Sequence, residues 1–84
     1  MSKLQAINVT PKNDIVVKFK NDVIDSDIFV ARTQAGLTWC ELNLGEPCTG
    51  WTDRWQVGWA YTARAVMMAK ARGLSVGTVC GETL

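Results

Sequence analysis

The sequence contains no histidine, which removes the commonest general base and the commonest metal ligand in proteins. It also lacks a glycine-rich phosphate loop, a nucleophile elbow and a dinucleotide-binding fingerprint. The three cysteines, Cys40, Cys48 and Cys80, are not spaced as the close pairs that structural zinc sites require. We therefore expect a non-enzymatic protein with no catalytic residue, metal site or cofactor.

A strong charge of either sign is absent as well. Nine basic and eight acidic residues leave a formal net charge of +1, whereas domains that neutralise many phosphates usually carry a basic excess. No apolar run approaches the roughly 20 residues of a membrane-spanning helix, and no secretory signal precedes the first strand-like segment. Length and composition predict one folded domain over residues 1–84. The odd number of cysteines and the missing secretory signal favour a location in the cytoplasm, away from membranes.

Alternating apolar and polar residues predict strands in the first half of the chain. The alternating segments are 5–9, Ile15–Lys20, Ile28–Thr33 and Leu37–Leu42. Turn-forming residues separate them and leave short connections. This arrangement predicts an antiparallel meander of about four strands.

The periodicity of the apolar residues changes after the glycine-rich loop at 45–50, and it predicts one long helix over about residues 52–72. Thr52 suits the N-cap of this helix, and Gly73 suits the position after its C-terminus. Residues 74–80 again have the composition of a strand, which we place at an edge of the sheet. The predicted fold class is α+β, with the helix packed on one sheet face and a short C-terminal strand.

Tryptophan is concentrated in WTDRWQVGWAY, residues 51–61. On the predicted helix, Trp51, Trp55 and Trp59 fall within one arc and are assigned to the core. The opposite side carries Val57, Tyr61 and Met68, flanked by arginines. That side is either a solvated helix surface or a contact for a partner, since aromatic, Met and Arg residues are enriched in binding hot spots. The candidate partner-binding residues here are Tyr61, Arg64, Met68 and Arg72.

A second candidate surface is the acidic connector that holds Asp22, Asp25 and Asp27. Its spacing does not match a calcium-binding loop. It is therefore either a solvated loop or a set of carboxylates that pairs with the basic groups of a partner.

Nucleic-acid binding is an alternative function that sequence reasoning leaves open. A sheet that stacks bases needs exposed aromatics beside Lys or Arg. Lys18 and Lys20 share one face, but Phe19 is predicted to point into the core, and Phe29 and Trp39 are isolated. A structural homodimer or virion component is a third alternative.

The predicted architecture resembles a class of small proteins. A meander containing Ile15–Lys20, Ile28–Thr33 and Leu37–Leu42, followed by an Ala-rich helix over Trp55–Arg72, is similar to the inhibitors of host defence that phages and mobile elements encode, including anti-CRISPR proteins. The resemblance implies a non-catalytic protein that binds and inhibits a host protein complex, typically a CRISPR–Cas surveillance complex. It carries no sequence motif and therefore assigns no functional residue.

Overall fold

The structure is a computed structural model, and it describes residues 12–19, 26–79 and 81–84. The strands are β1 (Ile15–Lys18), β2 (Ser26–Ala31), β3 (Arg54–Gly58) and β4 (Val76–Thr78), and the helices are α1 (Gln34–Asn43) and α2 (Trp59–Ala71). The strands form one sheet in the order β3-β2-β1-β4. The strand predicted at 5–9 lies outside the described residues.

The sheet is mixed, so the prediction of a purely antiparallel meander is wrong. The hairpin of β1 and β2 is antiparallel as predicted, and β3 pairs antiparallel with β2. However, β4 pairs parallel with β1. The reason is the intervening helix: α2 carries the chain back along the sheet, so that β4 runs in the same direction as β3 and β1.

The segment predicted as a strand at Leu37–Leu42 belongs to helix α1. The hydroxyl of Thr33 caps this helix by accepting a hydrogen bond of 3.1 Å from the backbone N–H of Gly36. The buried residues of α1 are Gly36, Trp39 and Cys40, a spacing of three and four residues that is helical. Local capping and packing against the sheet outweigh the apparent alternation. The predicted single long helix is therefore wrong, because the described chain contains two helices.

The predicted helix over 52–72 also begins too early. Residues 54–58 form strand β3, in which Trp55 pairs with Phe29 and Val57 pairs with Asp27. The C-terminal end is as predicted: Gly73 has a φ of 86°, and its N–H donates to the carbonyl of Lys70 at 2.9 Å. This left-handed glycine ends α2 in the usual way.

The predicted C-terminal strand is confirmed as the short edge strand β4. Residues 82–84 double back alongside it, since the N–H of Thr78 donates to Glu82 O and the N–H of Leu84 donates to Val76 O, each at 2.8 Å. This pairing occupies backbone groups that an edge strand otherwise leaves free.

One hydrophobic core lies between the two helices and one face of the sheet. Its largest fully buried side chains are Trp55, Phe29, Ile15, Val17, Val76 and Cys40. Trp55 also donates from Nε1 to the carbonyl of Gly45 at 2.9 Å, so its one polar atom is satisfied on burial. The alternation of β1 to β3 leaves the other face of the sheet without a packed helix from the described part of the chain.

Candidate binding surfaces

The predicted partner-binding residues of the helix lie along one flank of α2 and at its C-cap, Arg72, but they are not all exposed. The Tyr61 side chain is exposed, and its hydroxyl donates to Met68 Sδ at 3.6 Å. Met68 is half-buried against the core, whereas Arg64 and Arg72 are exposed. Val57, which was expected beside Tyr61, is buried in β3. The structure therefore brings Tyr61 and Met68 together and leaves the two arginines at the surface.

The prediction that Asp27 lies on a solvated connector is wrong. Asp27 is in β2, is only 4% exposed, and accepts a hydrogen bond of 2.5 Å from the Thr62 hydroxyl of α2. The period of two residues along β2 turns this carboxylate toward the helices. Asp22 and Asp25 lie outside the described residues.

The flank of α2 opposite Tyr61 and Met68 carries a groove of about 630 Å³, which we call the α2 groove. Its walls come from α2, from the end of β1 and from the C-terminal segment, and Asp27 and Thr62 form its floor. The wall residues are Phe19, Trp59, Ala63, Val66, Met67, Lys70 and Leu84. Trp59, Ala63, Met67 and Lys70 follow one another at helical spacing, so the groove runs along the helix.

Three apolar side chains of the α2 groove are strongly exposed: Met67 by 71%, Trp59 by 65% and Phe19 by 52%. Large apolar side chains that cluster at a surface mark interaction sites more often than scattered ones do. Sequence reasoning placed Trp59 and Phe19 in the core. For Trp59 the error follows from the early helix start, because Trp51, Trp55 and Trp59 lie in a loop, a strand and a helix respectively.

The face of the sheet away from the helices is a second surface, which we call the open sheet face. Paired residues form two rows across it: Gly77, Val16, Val30 and Arg54 in one, and Lys18, Ile28 and Gln56 in the other. Val16, Ile28 and Val30 are half-buried, while Lys18 is exposed. The centre of this face is therefore apolar and its borders are basic.

Three shallow depressions run into one another across the open sheet face because they share lining residues. Lys12 and Arg32 line the first, Lys18 and Arg54 the second, and Lys18, Arg32 and Arg54 the third. No described carboxylate lines any of them. Trp51 lies in the second depression and is 51% exposed.

Arg54 connects the cations of the open sheet face with its exposed aromatic ring, Trp51. Its guanidinium carbon lies 4.1 Å from the centre of the Trp51 ring, which is within the range of a cation–π contact. Its Nε lies 3.7 Å from Asp53 Oδ1, a distance too long for a hydrogen bond. The side chain therefore contacts both the Trp51 ring and, through a looser ion pair, the Asp53 carboxylate.

The described residues contain no group of three His, Cys, Asp or Glu side chains that could hold a metal ion. Burial, together with the nearby charge of Glu41, raises the pKa of the Cys40 thiol to about 12. This thiol therefore stays protonated at neutral pH and is a poor nucleophile.

Neither of the described helices is long and apolar enough to span a membrane.

Comparisons with protein-family models, with curated proteins and with solved structures found no match to this chain.

Proposed function

We propose that this chain is a non-catalytic binding protein that acts in the cytoplasm of a host cell and inhibits a host protein complex by occupying part of its surface. The observation that carries the proposal is the α2 groove, with Met67, Trp59 and Phe19 exposed along one side of the helix. Exposing these side chains to water is unfavourable at about 25 cal/mol per Å² of apolar surface. A partner that covers the groove removes this cost.

The partner that fits the groove is an amphipathic helix presented by the host protein. From Trp59 to Lys70 the stripe extends by roughly 16 Å, which accommodates about three turns of a second helix. Recognition of this kind uses apolar anchors spaced three and four residues apart. Lys70 at one end and Arg64 on the exposed surface of α2 favour acidic residues at the border of the partner helix.

A CRISPR–Cas surveillance complex is the specific target that the resemblance implies, and we propose it as the first complex to test. The flank opposite the groove carries the predicted contact residues Tyr61, Arg64 and Met68 of α2, and Arg72 at its C-cap. They would extend the contact if the partner wraps around the helix. Asp22 and Asp25 remain candidates for a separate acidic contact.

The test compares two variants that each place a carboxylate at an exposed apolar position. Met67→Glu changes the α2 groove, and Leu42→Glu changes α1 at a residue that is 80% exposed. Tagged wild-type protein and both variants are used to capture partners from nuclease-treated bacterial lysate, and light scattering measures the mass of each pure protein. We expect a stoichiometric partner with wild type and Leu42→Glu, and its loss with Met67→Glu.

Three results would overturn the proposal. Capture that Met67→Glu leaves unchanged would show that the groove is not the contact. A pure protein that is a dimer, and that Met67→Glu converts to a monomer, would assign the groove to a second copy of the chain. Captured complexes that keep their full nuclease or DNA-binding activity would contradict an inhibitory role.

A further inference from the structure

We propose that the open sheet face is a binding site for single-stranded nucleic acid, separate from the α2 groove. The first argument is that, among the described residues, the depressions of this face are lined by basic side chains and not by acidic ones. Lys12, Lys18, Arg32 and Arg54 border three connected depressions, and none of the described carboxylates lines them. A chain with a net charge of only +1 thus presents a locally cationic surface, which is the electrostatic requirement for a phosphate backbone.

Two of the described aspartates are hydrogen-bonded away from the depressions. Asp14 accepts hydrogen bonds from the Thr33 hydroxyl and from the Ser75 N–H, and Asp27 lies under α2 on the helix side of the sheet. Asp53 forms an ion pair with Arg54, with 3.7 Å between Oδ1 and Nε, and so offsets part of the charge of that one cation. Lys12, Lys18 and Arg32 form no ion pair with a described carboxylate, so these three cations keep most of their attraction for an anionic ligand.

The second argument is the exposed aromatic ring. Trp51 shares a depression with Lys18 and Arg54, and an exposed aromatic ring beside Lys or Arg is the combination that base stacking needs. Stacking of a base on an aromatic side chain does not depend on the base sequence and recurs in single-strand sites. Arg54 packs against the ring at 4.1 Å and holds a positive charge where the neighbouring phosphate would lie.

The shape of the surface favours a single strand over a duplex. Proteins that recognise duplex DNA usually insert a helix or a two-stranded ribbon into a groove of the DNA. The open sheet face instead is a sheet with shallow depressions. Its half-buried Val16, Ile28 and Val30 offer apolar contact to sugars and unpaired bases. Neighbouring strands are about 4.8 Å apart, so the sheet is only a few nucleotides wide. A nucleic-acid strand that crosses it would therefore meet cations on both borders of this apolar centre.

The affinity should be modest and should depend on salt. If four cations each neutralise one phosphate, log K falls against log salt with a slope of about −2 to −3 for a single strand. The experiment measures fluorescence anisotropy of labelled oligo-dT and oligo-U of about 15 nucleotides, a length that spans most single-strand sites. It uses the full chain and a series of salt concentrations.

Two pairs of matched variants test the location of the site. Lys18→Glu/Arg32→Glu reverses two charges on the open sheet face, and Arg64→Glu/Arg72→Glu reverses two charges on α2 and its C-cap. We expect the first to weaken binding by roughly tenfold or more and the second to change it by less than about twofold. Trp51→Ala should weaken binding by about fivefold or more, while Trp59→Ala should not. Circular dichroism melting confirms that each variant is folded.

Several results would overturn the site. These are undetectable binding of both oligonucleotides at low salt, equal losses from the two charge-reversed doubles, and binding that is unchanged by Trp51→Ala. Competition by poly-glutamate of the same charge, as effective as by unlabelled oligonucleotide, would instead assign the face to an acidic protein. Because this assay contains no protein partner, its failure leaves the test of the α2 groove unaffected.

Discussion

Asp27 and Thr62 form a buried hydrogen bond that joins strand β2 to helix α2. The Thr62 hydroxyl lies 2.5 Å from Asp27 Oδ2 and 3.3 Å from the carbonyl oxygen of Gly58. The two residues are only 4% and 5% exposed. The bond fixes the position of α2 over the sheet at the floor of the α2 groove, and so it also fixes where Trp59 and Met67 are presented.

Replacing Thr62 by valine should destabilise the protein by about 1–3 kcal/mol, because a buried carboxylate then loses a hydrogen-bond donor. The free energy of unfolding in urea measures this effect. Thr38→Val is the matched control, since Thr38 is an exposed residue of α1, and it should change stability by less than about 0.5 kcal/mol. Equal effects of the two substitutions would show that the Asp27–Thr62 bond does not contribute.

The substitution Gly36→Ala should destabilise the protein although Gly36 lies within a helix. In an isolated helix, alanine is favoured over glycine by roughly 1 kcal/mol. Here a Cβ at Gly36 would lie 2.2 Å from the backbone oxygen of Asp14, and relieving this overlap should cost about 1–3 kcal/mol. Thermal or urea unfolding gives the sign directly.

Gly58→Ala is the control for that experiment. Gly58 has a φ of −56°, and a Cβ there meets no atom within 4 Å, so this variant should be nearly neutral. Increased stability of Gly36→Ala would contradict the close approach of α1 to the start of β1.

The free energy of unfolding should decrease in acid, and the protonation of Asp14 should account for part of this decrease. Hydrogen bonds from the Ser75 N–H and the Thr33 hydroxyl lower the pKa of this carboxyl below its ordinary value of 3.8, against a smaller opposing effect of burial. The unfolded chain then binds a proton before the folded one does. The contribution of Asp14 is therefore complete above the unfolded pKa and is lost as the pH falls through the folded pKa.

Asp14→Asn should flatten the pH dependence of the unfolding free energy below about pH 4, where this carboxyl titrates. The measurement is urea unfolding of wild type and variant at a series of pH values. The difference between the two curves isolates Asp14 from the other acids of the chain. Parallel curves would show that the pKa of Asp14 is the same in the folded and unfolded states.

Cys40 should resist alkylation in the folded protein, since its side chain is fully buried and its thiol pKa is raised to about 12. Cys48 is partly exposed and should react with iodoacetamide under the same conditions. Peptide mass spectrometry after labelling with and without urea distinguishes the two sites. Modification of Cys40 at the rate of Cys48 in the absence of urea would contradict the packing of α1 on the sheet.

Local sequence signals were sufficient for several elements. The alternation of Ile15 and Val17 predicted β1, and Gly73 predicted the end of α2, because both depend on contacts within a few residues. The helix α1 also had a local signal that strand-like alternation obscured. Thr33 stands three residues before Gly36, and Gly36, Trp39 and Cys40 have helical spacing.

Both surfaces, in contrast, depend on which elements pack together. The spacing of Trp51, Trp55 and Trp59 fits one helical stripe equally well, and only the pairing of Trp55 with Phe29 assigns the middle residue to a strand. That pairing buries Trp55, places Trp51 beside Lys18 and Arg54, and leaves Trp59 at the first turn of α2. A change of one element boundary thus moved two tryptophans from the predicted core to the surface.

Three properties of this protein follow from the sequence by itself. It has no histidine, its charges are nearly balanced, and its apolar residues suffice for one core. The tertiary structure alone decided the direction of β4, the burial of Asp27 and the faces on which exposed aromatics and cations lie. The physical reason is that strand pairing and helix docking join residues far apart in the chain. Their energies come from surfaces buried together, and a local pattern does not contain them.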